Sequence, residues 1–307
     1  MRLGINASAL LARPALEPMA EHARQTREDG FGSWWLAQTG LVDALTIFTA
    51  AAVHAPDLEF GTAVVPTFPR HPQALAAQAL TTQAAIGGRL TLGIGLAHQP
   101  SVEGRWRLSW ERPVRHLMDY LDVLLPLLET GQANHHGEIW GFEGAYPRPV
   151  AHPPRVMVAA LGEQVLRITG RRTDGTILWC VGPKTIRNHI APVITEAAES
   201  AGRPAPRIVC SLPVWVTDEP DKARAQVAQS LTVYGELPSY RAMLDREGVE
   251  GPADIALIGD EYDVADMLTE IAAAGATDFT AVEQASHPEE AARTRALLKS
   301  WSPPTGG

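Results

Sequence analysis

A chain of 307 residues is long enough for one large α/β barrel or for several smaller domains, and 45% hydrophobic with 20% charged residues is an ordinary globular balance. The net charge of −9 and the lack of any long basic cluster argue against a nucleic-acid partner. Two cysteines are too few for a disulfide framework, no apolar run approaches the roughly 18 residues of a membrane span, and no leader precedes the first strand, so we expect a cytoplasmic protein without membrane contact.

From the first residues onward, short β-branched runs alternate with longer helical patterns, which is typical of repeated βα units. LEPMAEHARQTRED, LVDALTIFTAAAVHA and PQALAAQALTTQAAI follow the first three strands with helical spacing of their apolar residues, and TIRNHIAPVITEAAESAG follows the sixth. Eight strands are predicted, near residues 2–6, 33–37, 58–65, 90–95, 155–160, 175–181, 207–216 and 277–283.

Several of these strands, such as TLGIG, RVMVAAL and GTILWCV, are apolar almost throughout, as parallel strands covered on both faces are. Eight such units predict an α/β protein with a closed (β/α)8 TIM barrel, in one domain over residues 1–307. An open doubly wound sheet is the alternative, because periodicity does not report closure.

Three stretches do not fit simple βα units, and long connections of this kind are usually lids or binding loops. Residues 97–112 follow the fourth strand, 131–154 precede the fifth, and 231–262 lie between the seventh and the eighth and are mostly helical. HHGEIWGFEGAY in the second stretch suggests a small hairpin over the barrel. Trp106, Trp110 and Trp140 either roof an apolar substrate or simply anchor these loops.

The reacting groups of such barrels lie where strands end and βα loops begin. These ends carry no pair of carboxylates, and the chain has no G-x-S-x-G nucleophile elbow. Neither the adjacent His135 and His136 nor the two cysteines have the spacing of a metal site, so no metal is predicted. The redox or group-transfer chemistry is therefore expected to come from a bound cofactor. The strand ends carry Asn6, Gln38, Thr39, Ala63 to Pro66, Leu96, Ala97, His98, Gly162, Trp179 to Gly182 and, in the third insertion, Gly259.

AALGEQVLRITG is the clearest candidate for anion binding. A strand is predicted to end at Ala160, Gly162 permits close approach of the backbone, and a helix follows whose free N–H groups can hold a phosphate. An ordinary strand-to-helix turn is the alternative. GGRLTLGIGLAH contains G-x-G but lacks the third glycine and the following helix of a dinucleotide fingerprint.

Five segments in this order resemble the bacterial-luciferase-like superfamily of flavin- and deazaflavin-dependent oxidoreductases: GFGSWWLAQ, LEFGTAVVPTFPRHP, GGRLTLGIG, VMVAALGEQVLRITGRRTDGTILW and AAAGATDF. Together, GTAVVPTFPRHP, AALG and DGTILW are most similar to the branch that uses coenzyme F-420, a deazaflavin. The resemblance implies F-420 as cofactor with FMN as the alternative. It also implies a homodimer formed through the helices that follow the second and third strands.

The resemblance further implies roles for individual residues. A non-proline cis peptide between Ala63 and Val64 would lie against one face of the cofactor ring. Gln38 would hydrogen-bond the ring edge, and Thr39 would contact the substrate. The ring would be lined by Leu96, Ala97 and His98, and the tail phosphate would be bound by Ala160, Leu161, Gly162, Glu163 and Gln164.

His98 is the departure from the family pattern that matters most. The sugar-phosphate dehydrogenases of the family carry a glutamate there and an Asp–His pair at Gln38–Thr39, so sugar oxidation is not expected here. What remains suits hydride transfer to a small organic substrate, with reduction of an activated C=C or C=N bond. His98, titrating near neutral pH, would give the proton, or would only hydrogen-bond the cofactor. An FMN-dependent monooxygenase and a non-catalytic flavin-binding protein are the alternatives.

Overall fold

Parallel strands form a closed barrel in the computed structural model, which describes residues 1–303; the last four residues of the predicted domain lie outside it. No helix in the described part of the chain is long and apolar enough to cross a bilayer. The strands are β1 (Arg2–Asn6), β2 (Ser33–Leu36), β3 (Glu59–Thr62), β4 (Val65–Pro66), β5 (Leu90–Gly95), β6 (Gln132–His136), β7 (Gly141–Ala145), β8 (Arg155–Val158), β9 (Gly175–Trp179), β10 (Arg207–Val216), β11 (Leu257–Gly259) and β12 (Asp278–Glu283).

The order around the barrel is β1, β2, β3 with its continuation β4, β5, β8, β9, β10 and β12. Closure comes from β1, which pairs in parallel with β2 on one side and with β12 on the other, in the register Arg2 to Asp278. The predicted eight-stranded TIM barrel is therefore confirmed, and the open sheet is excluded. The eight predicted strands all form, within a few residues of the expected ends.

Helices cover the outside of the barrel, and local sequence signals set their ends. His71 caps α3, because its Nδ1 accepts a hydrogen bond from the N–H of Gln73 at 3.1 Å. Gly131 ends α4 in the left-handed conformation, at φ 78°. The helices are α1 (Leu16–Glu28), α2 (Ala44–Ala51), α3 (Pro72–Ala85), α4 (Pro113–Thr130), α5 (Glu163–Arg172), α6 (Pro183–Thr185), α7 (Ala191–Ser200), α8 (Pro220–Ser230), α9 (Thr232–Glu236), α10 (Pro238–Glu247), α11 (Glu261–Ala273) and α12 (Pro288–Ser300). Short 3-10 or π turns cover Ala7–Ala12, Pro100–Arg105, Ile186–Ile190 and Pro252–Ile255.

The barrel interior is filled by a buried cluster of four side chains from different strands, namely Trp35, Met157, Ile177 and Val209. The indole of Trp35 fits because the facing residue is Gly61, where a Cβ would lie 2.2 Å from the ring. Ala63 and Val64 pack against this cluster and are only partly buried. They therefore form part of the floor of the carboxyl-terminal mouth.

The amino-terminal end of the barrel is closed by ion pairs rather than by apolar side chains. Arg207 lies 2.8 Å from Glu59 and 2.8 Å from Asp278, and Arg2 pairs with the same two carboxylates. These ion pairs link β3, β10 and β12 to the first residue of β1, at the end of the barrel opposite the mouth.

The three insertions take distinct forms. A π turn occupies part of 97–112, and the expected hairpin in 131–154 forms as β6 and β7, which pack along α4. The third insertion is mostly helical but also contains β11, which pairs with the end of β10; it is not one of the eight predicted strands, although Gly259 at its end was included among the strand ends. A three-residue strand within a helical stretch offers too short a pattern to detect.

Candidate functional site

The third strand of the barrel is interrupted between β3 and β4, at the carboxyl-terminal mouth. Backbone hydrogen bonds hold the interrupted segment in place. The peptide between Ala63 and Val64 is cis, as the resemblance implied. The N–H of Ala63 donates to Leu36 O at 2.9 Å, and Val64 O accepts from the N–H of Gln38 at 3.3 Å. The break in the strand is thus fixed to the end of β2.

Gly95 at the end of β5 makes room for the side chain of Val64. A Cβ at this position would lie 2.6 Å from Val64 Cγ2 and 3.4 Å from the Cβ of Ala159. Contacts this short do not occur between real carbon atoms, so any larger residue at position 95 would displace Val64. The position of Val64 therefore depends on a neighbour without a side chain.

The polar residues around this break in the third strand make structural contacts within the protein. Thr67 donates its backbone N–H to Gly95 O at 2.9 Å, and its hydroxyl contacts His116 Nε2 at 3.0 Å. Arg70 pairs with Asp43 at 3.1 Å. With His71 capping α3, these contacts order the loop after β4 and leave the mouth to the residues of the strand ends.

Gln38 and Thr39 follow β2 at the mouth. The amide of Gln38 donates to Val42 O at 2.8 Å and accepts from the N–H of Ala44 at 2.8 Å, so it mainly closes its own loop. Thr39 is exposed. The contact of Gln38 with a cofactor ring stays a prediction, and so does the contact of Thr39 with substrate.

Leu96, Ala97 and His98 leave β5 in a strained turn. Ala97 has φ 61°, a left-handed conformation that residues with a Cβ seldom adopt and that is concentrated at functional sites. His98 is half-buried, and its burial lowers the pKa of the imidazole below the ordinary 6.5. Burial thus favours the neutral imidazole, and the role of His98 as proton donor stays a prediction.

Two tyrosine rings pack against His98, and the sequence did not predict them. The ring of Tyr240 lies 5.6 Å from His98 and that of Tyr234 lies 6.3 Å away, both measured between ring centroids. Tyr234 also packs against Trp179 at the end of β9, at 6.0 Å. The two tyrosines lie in the third insertion, far from any predicted strand end, and no spacing in the sequence marked them.

The predicted tryptophan roof does not form from Trp110 and Trp140. Trp110 stacks on Phe68 at 5.1 Å, and the indole N–H of Trp140 donates to His116 Nδ1 at 3.2 Å. His116 is buried, and its burial lowers its pKa to about 4. These two tryptophans anchor the loops after β4 and β5 and the hairpin β6–β7, which is the alternative left open above.

Two neighbouring helices begin at the mouth, and they differ in how their first N–H groups are satisfied. Glu247 accepts from the N–H groups of Lys184 and Thr185, at 3.0 and 2.7 Å, and so caps α6. Helix α5 has Gly162 at its N-cap, without a side-chain cap, and a Cβ at Gly162 would meet nothing within 4 Å. Of these two helices, α5 is the one whose first N–H groups have no side-chain acceptor among the described residues, so an anion can reach them.

The segment predicted to bind phosphate begins in the strand-end region after β8. Ala160 is buried, whereas Gly162, Glu163 and Gln164 are exposed. Leu161 is held in place because its carbonyl oxygen accepts from His189 Nε2 at 2.8 Å. These residues, together with Val64, Leu96, Ala97 and His98, come from neighbouring strands of the barrel, so the structure brings most of the predicted set to one mouth.

Asp119, Asp122 and His135 lie with ligand atoms within 4.8 Å of one another, on the outside of the barrel between α4 and β6. Arg115 already binds Asp119 at 2.6 Å, and Arg172 binds Asp122 at 2.6 Å. A cation would have to displace both guanidinium groups, so the arrangement is that of a salt-bridge network.

The mouth combines an apolar surface with free backbone donors. The apolar surface at Val64 packs on the cluster that fills the barrel interior and borders Gly95, which has no side chain. The uncapped start of α5 offers backbone donors beside it. Such pairing of an apolar surface with a few directed polar groups is typical of cofactor sites.

Comparison with known proteins agrees with this geometry. The sequence model of the luciferase-like monooxygenase family matches residues 1–299. The chain is 30% identical over 240 residues to an F420-dependent glucose-6-phosphate dehydrogenase of Mycolicibacterium fortuitum, which spans 72% of this chain and 70% of that protein. It is 24% identical over 240 residues to a 5,10-methylenetetrahydromethanopterin reductase of Archaeoglobus fulgidus, over 76% of this chain and 70% of that protein. The fold is similar to that of monooxygenase RslO1 from Streptomyces bottropensis, with a TM-score of 0.78, 21% identity and 98% of each chain covered.

Proposed function

The chain belongs to the luciferase-like monooxygenase family, and from this premise we propose that it is an oxidoreductase that uses coenzyme F-420 to transfer hydride to a small organic substrate. The observation that carries the proposal is that the uncapped start of α5 at Gly162 and the side chain of Val64, which lies against Gly95 at the end of β5, share one mouth of the barrel. Two relatives by sequence are a deazaflavin-dependent dehydrogenase, by its name, and a reductase. The name of the first supports F-420 as the cofactor, and that of the second supports an oxidoreductase.

Reduction of an activated C=C or C=N bond is the direction we propose. The family's sugar-phosphate dehydrogenases carry a glutamate and an Asp–His pair at the positions of His98 and Gln38–Thr39, and this chain carries neither. Reduction needs one proton in addition to the hydride, and a single imidazole can supply it.

Each residue of the mouth would have its own role in the reaction. Bound reduced F-420 supplies a hydride from a ring carbon. Val64 would cover one face of the ring, Leu96 and Ala97 would border it, and the N–H groups at Gly162 to Gln164 would hold the tail phosphate. His98 holds the proton on its imidazole and delivers it to the product side. Because burial lowers the pKa of His98, its protonated form is a minor but strongly donating species at neutral pH.

An FMN-dependent monooxygenase is the second candidate, and the family description and the fold of RslO1 favour it. A flavin-binding protein without turnover is the third. Half-buried His98 in contact with two tyrosines favours an enzyme over a bare binder, because a titratable side chain there can contact a reacting ligand.

A titration of the purified protein with F-420 and, separately, with FMN tests the proposal. We expect micromolar or tighter binding of F-420 and weaker binding of FMN, followed by oxidation of reduced F-420 in the presence of activated alkenes or imines. Tight binding of FMN without binding of F-420 would overturn the proposal in favour of the monooxygenase. Binding of F-420 without turnover across the panel would favour the non-catalytic protein.

We also propose a homodimer that packs α2 and α3 against their copies. Both helices are rich in alanine, which permits close approach, and Val53 just past α2 is 77% exposed. Light scattering tests the dimer: Val53→Asp should shift the mass toward that of a monomer. A monomeric wild-type protein would refute it.

A further inference from the structure

The third insertion closes part of the mouth with two tyrosines. Tyr234 and Tyr240 lie edge to face, 5.0 Å apart, and both contact His98, while Tyr234 also contacts Trp179. The four rings form a continuous wall from the end of β5 to the end of β9. Both tyrosines are only partly buried, so the wall retains an accessible surface.

The insertion that carries the two tyrosines leaves the barrel opposite Val64. Val64 lies between β3 and β4, the third position around the barrel, and the insertion leaves the end of β10, which is the seventh of the eight positions. Positions three and seven are diametrically opposed. A planar ring that rested one face on Val64 would leave its other face toward the insertion, and a substrate would then approach from that side.

The insertion is firmly attached to the barrel. Glu247 at the end of α10 caps α6 through the N–H groups of Lys184 and Thr185, and the hydroxyl of Thr185 donates to Met243 O at 3.1 Å. Gly182 is needed for this contact, because a Cβ there would lie 2.4 Å from Glu247 Cδ. Tyr240 is thus held by a fixed helix, and Tyr234 lies on α9 immediately before it.

The polar atoms of the wall are neutral donors. Burial raises the pKa of both Tyr234 and Tyr240, so the phenols keep their protons at neutral pH. The indole N–H of Trp179 is buried and has no well-aligned hydrogen-bond partner among residues 1–303. On α10, the carboxylate of Glu247 caps α6, and Arg241 pairs with Asp245 at 2.8 Å. Glu247 and Arg241 therefore both have partners within the protein.

Resting on the proposed function, we propose that Tyr234, Tyr240 and Trp179 form the substrate-selecting wall of the site. The wall selects an uncharged, planar, conjugated carbonyl compound, such as an aryl-substituted enone. Flat conjugated groups pack well on aromatic rings, and a carbonyl oxygen accepts from a phenol O–H. A carboxylate would lose its hydration against this wall without gaining a cation.

Ligand binding to the cofactor-free protein tests the inference independently of turnover. The probes are 4-phenyl-3-buten-2-one, a planar enone, and cinnamate, which has the same skeleton with a negative charge. We expect equilibrium dialysis to show binding of the enone at least about tenfold tighter than binding of cinnamate. Tyr240→Ala should weaken enone binding by up to about tenfold, the upper range for an aromatic contact, and Tyr240→Phe should weaken it less.

Tyr262→Ala is the matched control, because Tyr262 is 84% exposed on α11, and it should bind the enone like the wild type. Thermal melts check that each variant folds; Tyr234→Ala, at a more exposed ring, serves if Tyr240→Ala does not fold. Equal binding of enone and cinnamate would overturn the inference, as would unchanged enone binding by Tyr234→Ala and Tyr240→Ala.

Titration of the same variants with F-420 separates this inference from the proposed function. If Tyr240→Ala weakens F-420 binding and leaves enone binding unchanged, the tyrosines serve the cofactor and the inference is wrong while the function stands. If the wild type binds the enone through these tyrosines but does not bind F-420, the wall is a ligand site and the proposed function fails.

Discussion

The hydroxyl of Thr62 is bonded to both backbone groups of Gly93: it donates to the carbonyl oxygen at 2.7 Å and accepts from the N–H at 2.8 Å. Backbone pairing between the third strand and β5 stops at Gly61 and resumes at Val65. The side chain of Thr62 thus replaces the ladder where the strand is interrupted beneath the mouth. A buried pair of backbone groups would otherwise have no partner.

Thr62→Val should destabilise the protein by about 2–4 kcal/mol, because it removes two buried hydrogen bonds while the shape of the side chain is kept. Thr62→Ser keeps the hydroxyl and should cost only about 1 kcal/mol for the lost methyl group. Urea unfolding followed by circular dichroism measures both. A loss for Thr62→Val no larger than that for Thr62→Ser would mean that the hydroxyl contributes no more than the methyl group, and would contradict its role in the strand pairing.

Gly95→Ala should displace Val64 and weaken binding of F-420, because the new Cβ would lie 2.6 Å from Val64 Cγ2. The overpacking should also cost about 1–3 kcal/mol of stability. Gly104→Ala, where a Cβ meets nothing within 4 Å, is the matched control. The double variant Gly95→Ala with Val64→Ala should regain binding relative to Gly95→Ala alone; wild-type affinity of the single variant would refute the role of Val64 as floor.

The barrel was predictable because its signal is repeated: eight apolar strands, each followed by a helical pattern, leave few other architectures. The strand ends at Leu96 to His98 and at Gly162 followed from the same pattern, since strand ends share one mouth. Tyr240 and Glu247 could not be predicted, because their contacts depend on how a long helical insertion folds back. The role of Trp110 in anchoring a loop, and not in roofing the site, depends likewise on tertiary packing with Phe68.

Gly162→Asp should have opposite effects on stability and on cofactor binding. Aspartate is a good N-cap residue and carries a charge suited to a helix start, so α5 should gain a few tenths of a kcal/mol, up to about 1. The same carboxylate would occupy the N–H groups and repel a phosphate, and F-420 binding should weaken about tenfold or more. Gly162→Ala, which leaves the donors free, should bind normally. Tight binding by Gly162→Asp would place the phosphate elsewhere.

Acid stability should depend on the ion pairs at the other end of the barrel. Burial alone would raise the pKa of Asp278 and of Glu59, but Arg207 outweighs it and holds both below their ordinary values of 3.8 and 4.5. The folded state thus binds these protons less readily than the unfolded chain. The stabilisation is complete above about pH 5 and is lost as the pH falls through the lowered folded values.

Asp278→Asn should therefore lower the unfolding free energy at pH 7 by about 3 kcal/mol, because it leaves a buried guanidinium short of one partner. It should also flatten the decline in stability between neutral and acid pH. Urea unfolding at a series of pH values measures both effects. Asp57→Asn, at a side chain that is 89% exposed, is the control and should change neither. A steep acid decline retained in Asp278→Asn would contradict the assignment.

The pH dependence of turnover should report His98. Its pKa lies below 6.5 because of burial, so if the imidazolium gives the proton, kcat should be highest in mild acid. It should then fall about tenfold per pH unit above that pKa. His98→Gln should lower kcat by about 100-fold or more and remove this dependence, since glutamine can donate a hydrogen bond but not a proton. F-420 affinity measured across the same pH range separates proton delivery from cofactor binding. A His98→Gln variant that keeps kcat and its pH profile while losing F-420 affinity would assign the imidazole to holding the cofactor, and the proton would then come from another donor at the mouth.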